Sequence, residues 1–176
     1  MNARKLILYI SCSLDGYIAQ SGDDLSFLEK VQREGEDYGY NDFTATVDAV
    51  IMGRRTYDWI LNQGVDFPHW DKEAYIITRT ERPSENGVNF YNGNLRDLII
   101  KLKSENGKNI FCDGGAEIVN ELLKEKLFDE LIISVIPVLL GNGIRLFNAG
   151  IPAQDLALVS SKSFESGLMQ LHYKIN

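Results

Sequence analysis

A chain of 176 residues, 44% hydrophobic and 24% charged, has the size and make-up of one globular domain, able to bury a core without disulfides or a structural metal, which excludes a disordered chain, a collagen-like chain and a disulfide scaffold. A formal net charge of −7 argues against binding along a nucleic-acid backbone, which needs a surplus of Lys and Arg. Cys12, Cys112, His69 and His172 stand too far apart for a zinc site, and both thiols sit in apolar runs that suit buried strands in a reducing, cytoplasmic compartment.

Residues 1–5 lead into only a short apolar run. No segment approaches the ~18 apolar residues of a membrane span and no leader pattern is visible, so no membrane contact is expected. Without repeats or a linker, residues 1–176 read as a single domain. Leu6, Ile7, Leu8, Tyr9 and Ile10 form a continuous apolar run, the pattern of a buried strand, which Ser13-Leu14-Asp15-Gly16 breaks. From Asp24, the spacing of Leu25, Leu28 and Val31 predicts a helix with Asp24 as its cap and Gly35 as a stop. Residues 48–52 form a second buried strand ended by Gly53, and residues 54–61 a short helix. The loop 62–71 carries Pro68, Phe67, His69 and Trp70.

Residues 74–78 and 88–91 read as strands. Asn94 caps a helix with Leu95, Leu98, Ile99 and Leu102 on one face, and Gly107 fits its C′ position. Residues 109–112 form a strand, Gly114-Gly115 a turn, and residues 116–126 a helix with Lys124 and Lys126 near its C-terminal end. Residues 131–138 are again a strand. Residues 156–164 and 168–175 flank Glu165-Ser166-Gly167, and Met169, Leu171, Tyr173 and Ile175 alternate with Gln170, His172 and Lys174, as in a half-buried hairpin strand. The whole reads as an α/β three-layer fold, with a mostly parallel central sheet and an antiparallel C-terminal hairpin. Buried parallel strands gather loops and helix N-termini at one sheet edge, where ligands tend to bind.

Two strand-to-helix turns carry chemistry. In Met52-Gly53-Arg54-Arg55-Thr56, Gly53 lets a ligand approach bare backbone, and Thr56 lies in a first helical turn whose free N–H groups favour an anion. Arg54 and Arg55 run against the helix dipole unless a polyanion lies between, so a phosphate site and a solvated basic pair both remain open. Asp113-Gly114-Gly115-Ala116 reads as a second phosphate turn or as a plain tight turn. Two such turns in one small α/β chain make a dinucleotide credible. Gly141-Asn142-Gly143 starts like a dinucleotide fingerprint, but Leu146 stands where its third glycine belongs. The phosphate-loop, serine-elbow and paired-histidine zinc patterns are absent.

The motifs Ser11-x-Ser13-Leu14-Asp15-Gly16-Tyr17-Ile18-Ala19, Ile51-Met52-Gly53-Arg54-Arg55-Thr56-Tyr57 and Asp113-Gly114-Gly115-Ala116 resemble the dihydrofolate-reductase-like superfamily. Within it, Pro137-Val138-Leu139-Leu140-Gly141-x-Gly143 is similar to the C-terminal reductase domain of the riboflavin-biosynthesis deaminase–reductase. The resemblance runs in order over nearly the whole chain. It implies an NADPH-dependent reductase and a homodimer. It implies cofactor phosphates at Gly53, Arg54, Arg55 and Thr56 and a 2′-phosphate at Thr78 and Arg79. It further implies the pyrophosphate and nicotinamide ribose over Gly114, Gly115 and Ala116, and the nicotinamide near Ser11 and Ile18.

On the substrate side it puts Asp24 in the place of a pterin-binding acid supported by Ser134, while the residue's own spacing also makes Asp24 a plain cap. Asp113 matches an acidic position of the riboflavin branch, and Tyr17 departs from the Lys or Arg that many of that branch carry. The expected substrate is a small heterocyclic molecule, nominally 5-amino-6-(5-phosphoribosylamino)uracil. A dihydrofolate reductase acting on a pteridine, and an NADPH-binding module without turnover, are the alternatives. Proton delivery falls to Asp24, Asp113 or a water.

Overall fold

The computed structural model describes residues 4–84 and 87–176. In chain order its strands are β1 (Leu6–Ser13), β2 (Tyr17–Ala19), β3 (Val47–Gly53), β4 (Glu73–Ile77), β5 (Val88–Tyr91), β6 (Asn109–Gly114), β7 (Glu130–Ile136), β8 (Ile144–Arg145), β9 (Leu156–Ser163) and β10 (Met169–Ile175). The helices are α1 (Tyr40–Ala45), α2 (Arg54–Asn62), α3 (Leu95–Ser104) and α4 (Ala116–Lys124), with a 3-10 helix at Ser26–Val31. Eight strands form one sheet in the order β5-β4-β3-β6-β1-β7-β10-β9. The first six run parallel, and β10 is antiparallel to both β7 and β9. The expected α/β sheet with a C-terminal hairpin is the fold observed.

The central strands are apolar without alternation because both sheet faces are covered. Leu6, Leu8, Ile110 and Cys112 pack with Leu95, Leu98, Ile99 and Leu102 of α3 and Val119 and Leu122 of α4. The intervening side chains Ile7, Val50, Met52, Ile76 and Phe111 pack on the other face with Phe43 of α1 and with Tyr57 and Ile60 of α2. Both cysteines are buried and free. Burial first, then the Asp15 carboxylate, pushes the Cys12 thiol up to about 11, and burial pushes Cys112 up to about 12. Among the described residues no helix is long and apolar enough to cross a membrane.

Several boundaries differ from the sequence expectation for local reasons. The segment after Asp24 is a six-residue 3-10 helix, and its cap position is Leu25. Phe27 and Val31 anchor it against Ile136 and Leu168, so tertiary packing selects a short tight turn over a longer α-helix. Asn94 does cap α3, its Oδ1 accepting from Asp97 N at 3.1 Å. Gly107 is not that helix's C′ residue, because α3 already ends with Glu105 as its cap. A Cβ at Gly107 would lie 2.5 Å from Asp48 Oδ2 and 2.9 Å from Arg4 Cζ, so glycine makes room for the ion pair between the buried Arg4 and the partly exposed Asp48.

The strand expected to stop at Cys112 continues through Asp113 to Gly114. The apolar alternation of β10 does not become an alternation of burial: Leu171, Tyr173, Gln170 and His172 are all half-buried, and every residue of β9 is exposed. The hairpin lies at the end of the sheet, with β9 as its edge strand. Helix α1 and the two-stranded ribbon β2–β8, closed by Tyr17↔Arg145, escaped the sequence reading because each is too short to show a period.

Candidate functional site

Parallel strands place all their C-terminal ends on one edge, and register decides what meets there. Met52 pairs with Gly114, Gly53 with Ile77, and Ser11 with Ser134. Crossing β4, β3, β6, β1 and β7, the edge therefore presents Thr78, Gly53, Gly114, Ser11 and Ser134 in turn. Ile18 reaches the same end from β2, half-buried against the core.

Gly53 and Gly115 are the N-cap residues of α2 and α4, and neither helix has a side-chain cap. Their first-turn N–H groups thus lack the usual side-chain acceptor. The two helix ends adjoin. A Cβ on Gly53 would sit 3.4 Å from Ile118 Cγ1 and 3.8 Å from Gly115 N, and one on Gly115 would sit 3.3 Å from Thr56 Oγ1. Gly114 has φ +103°, a conformation L side chains rarely adopt, and the Gly114–Gly115 peptide is cis. Two uncapped helix ends beside bare glycine backbone form a cradle of backbone N–H groups, an arrangement that could hold an anionic group such as a diphosphate. Ala116 is buried at the start of α4.

The arginines are less free than the sequence suggested. Arg55 pairs with Asp23 through Nη2 at 2.8 Å and Nε at 3.1 Å, Arg54 with Asp58 at 3.7 Å, and Arg79 with Glu117 at 3.5 Å. Asp58 and Asp23 offset the unfavourable position of Arg54 and Arg55 at the start of α2, and Glu117 offsets the charge of Arg79 after β4. Exposed pairs of this kind contribute about 0–1 kcal/mol, so each guanidinium can exchange its partner for a phosphate. Thr78 is buried, and its Oγ1 accepts from Thr80 N at 3.3 Å.

On the substrate side the structure gives Asp24 and Ser134, which the resemblance joins, different hydrogen-bond partners. Asp24 is exposed in a turn, where its Oδ1 accepts from Ser26 N at 2.8 Å and its Oδ2 from Gln20 Nε2 at 3.1 Å. The Ser26 hydrogen bonds hold its carboxyl below the usual carboxylate range. Ser134 is buried, and its hydroxyl accepts from Gln170 Nε2 at 3.2 Å. That amide also donates to Tyr9 Oη at 3.0 Å and to the Tyr38 carbonyl at 3.1 Å. An open cleft of about 640 Å³ lies beside the 3-10 helix, lined by Gln20, Ser26, Phe27, Lys30 and Leu139.

Asp15, read in sequence only as part of a motif, is a tie between loops. Its carboxylate accepts from Ser13 Oγ at 2.6 Å, Leu140 N at 3.0 Å and Gly141 N at 2.7 Å. The Ser13 bond foremost, with those backbone donors, lowers its pKa to about 2. It thereby joins the loop after β1 to the loop after β7, and the latter lines the cleft through Val138, Leu139 and Leu140.

Asp113 has company that the sequence did not reveal. It lies on the Phe111 face of β6, and its Oδ2 is 3.2 Å from Nε2 of the buried His69. The His69 ring stands edge-on to Phe67 at 5.4 Å and Phe111 at 5.6 Å. Tyr40 is the next neighbour: burial, then the charges of Asp113, Tyr9 and Asp71, pushes its hydroxyl pKa well up. The aromatic density of loop 62–71 was the one sequence signal for this cluster. Among the described residues no group of three or more His, Cys, Asp or Glu is placed to hold a metal.

The family model described as RibD C-terminal domain matches residues 4–170. The uncharacterized protein YwjB of Bacillus subtilis (strain 168) is 43% identical over 171 residues, covering 97% of each chain. Among solved structures, a protein of Shewanella sp. PV-4 named for riboflavin biosynthesis superposes with a TM-score of 0.90 at 30% identity, over 98% of this chain and 99% of its own. RibD of Acinetobacter baumannii superposes with a TM-score of 0.71 at 19% identity, over 99% of this chain and 58% of its own, a likeness of fold.

Proposed function

The chain belongs to the RibD C-terminal domain family, a reductase family, and from that premise we propose that it is an NADPH-dependent reductase of a small heterocyclic substrate, nominally 5-amino-6-(5-phosphoribosylamino)uracil, whose ribosyl group is reduced to ribityl. The observation that carries this reading is the pair of adjoining uncapped helix N-termini at Gly53 and Gly115, with Thr56 between them and Asp113 one residue before the glycines. A side chain at either glycine would fill that cradle, so the residues present fit a dinucleotide diphosphate.

Hydride is the chemistry that a bound nicotinamide supplies. The remaining work falls to this chain's residues. Gly53, Thr56, Gly114, Gly115 and Ala116 hold the diphosphate and its ribose by backbone donors and close approach. Arg54 and Arg55 screen the phosphates, and Thr78 and Arg79 take the 2′-phosphate at the end of β4. Ser11 and Ile18 border the nicotinamide. For the substrate acid, the partly exposed Asp113 is a better candidate than Asp24. Its Oδ1 makes no hydrogen bond among the described residues, whereas both Asp24 oxygens are engaged in a turn. Ser134 supports the pocket wall through Gln170 rather than through Asp24.

The chain works in the cytoplasm as a homodimer, with no nucleic-acid or membrane partner. The exposed β9 edge, with Leu158 and Val159 more than half exposed, supports a second copy as its cover. The deciding experiment measures NADPH and NADH dissociation constants, then NADPH oxidation with 5-amino-6-(5-phosphoribosylamino)uracil and with dihydrofolate. Tighter NADPH binding and turnover of the uracil support the reading. Turnover of dihydrofolate alone replaces it with a pteridine reductase, and binding without any turnover replaces it with a cofactor-binding module.

A further inference from the structure

A carboxylate at the mouth of a site is useful only if it is held still. Asp113 sits where β6 ends, with its side chain about one-quarter exposed. Its backbone is fixed by pairing of the preceding residues with β1 and β3. The side chain has a single hydrogen-bond partner among the described residues, His69, through Oδ2. Because a carboxylate only accepts, His69 Nε2 must be the donor.

The imidazole is itself immobilised. It is 2% exposed, and Phe67 and Phe111 flank its ring. The backbone is pinned as well, since the His69 carbonyl accepts from Lys72 N at 3.1 Å. The loop between α2 and β4 thus delivers one rigid donor to one oxygen of Asp113 and leaves Oδ1 without a hydrogen-bond partner among the described residues.

We propose that His69 is the positioning residue of the site: it orients the Asp113 carboxylate so that Oδ1 accepts from a hydroxyl or amino N–H of the substrate. The inference rests on the reductase reading for its substrate, but the positioning claim concerns only these two residues. A ligand rich in hydroxyl and amino donors, such as an aminopyrimidine bearing a polyol, matches an acceptor of this kind. Tyr40, Tyr9 and Asp71 also carry titratable groups near this cluster, and among the described residues none of the three is hydrogen-bonded to Asp113. Removing the imidazole therefore leaves no other described donor to hold the carboxylate.

The test compares the wild-type chain with His69→Gln, His69→Leu and Asp113→Asn. Gln carries its amide donor at a reach similar to Nε2, whereas Leu fills the space and donates nothing. NADPH affinity and melting temperature are measured for each, with NADPH oxidation by 5-amino-6-(5-phosphoribosylamino)uracil as the activity. The expected result is a fall in kcat of at least about 30-fold for His69→Leu, with Gln recovering to within about fivefold of wild type. NADPH affinity should stay within twofold throughout. Equal losses in Gln and Leu, or no loss in Leu, overturn the proposal. If the wild-type protein does not turn over that uracil, the functional reading fails separately. The crystal structure of His69→Leu then decides the positioning claim: an Asp113 carboxylate displaced from its place upholds it, and one that stays put overturns it.

Discussion

Replacing Gly53 with alanine separates the cofactor cradle from the stability of the fold. Gly53 has φ −72° and ψ 148°, extended backbone open to any residue. Its new methyl would lie 3.4 Å from Ile118 Cγ1, an ordinary contact, and within 3.9 Å of Gly114 O and 3.8 Å of Gly115 N. Two small effects on stability oppose each other. Less backbone entropy in the unfolded chain contributes about 0.4–1 kcal/mol, and alanine caps less well than glycine by an amount of order 1 kcal/mol. The net change is below ~1 kcal/mol, or roughly 2–4 °C in melting temperature for a chain of this size.

Cofactor binding responds differently, because the methyl stands in the gap between the two helix ends. A charge-assisted hydrogen bond from backbone N–H to phosphate contributes about 1.5–3 kcal/mol. Losing one weakens NADPH binding roughly 10- to 150-fold. Fluorescence titration of NADPH alongside a thermal melt reads both quantities. A Gly53→Ala protein that melts like wild type and binds NADPH within twofold of it refutes the placement of the diphosphate.

Asp15 predicts an acid-dependent loosening of the loops after β1 and β7. Its folded-state pKa of about 2 lies below the unfolded value of about 3.9, so its contribution is present above pH ~4 and is lost as pH falls toward 2. The melting-temperature gap between wild type and Asp15→Asn should therefore close over that window, and a gap of constant size contradicts the assignment. With a working substrate, Asp24→Asn should keep turnover within about threefold of wild type, while Asp113→Asn lowers kcat by about 10²-fold or more. The reverse pattern returns the substrate acid to the first loop. Sedimentation at micromolar concentration should give about twice the chain mass of 19.9 kDa, and Leu158→Lys with Val159→Lys should halve it. A wild-type monomer removes the hairpin interface.

The strands of the main sheet, the three longer helices and the two glycine motifs were legible in the residues themselves, while α1, β2 and β8 were not. Runs such as Leu6–Ile10 and 49–52 have no charged position to turn toward water, which marks them as central strands of a covered sheet. Asn94 announced its helix through a local hydrogen bond three residues long. Local chemistry of this kind survives into the fold because its partners are neighbours in the chain.

What the tertiary structure decided was every relation between distant residues. Gly53 and Gly115, 62 positions apart in the chain, adjoin because β3 and β6 are neighbours in the sheet. Asp24 and Ser134 took separate partners because the segment after Asp24 packs as a short 3-10 helix. His69 met Asp113 across 44 positions, by a loop that has no period and closes on the sheet through aromatic packing. Exposure of β9 was equally hidden, since an apolar strand reads alike whether its own domain or a second copy covers it. Burial and long-range pairing depend on what lies across the fold, and no window of neighbouring residues contains that information.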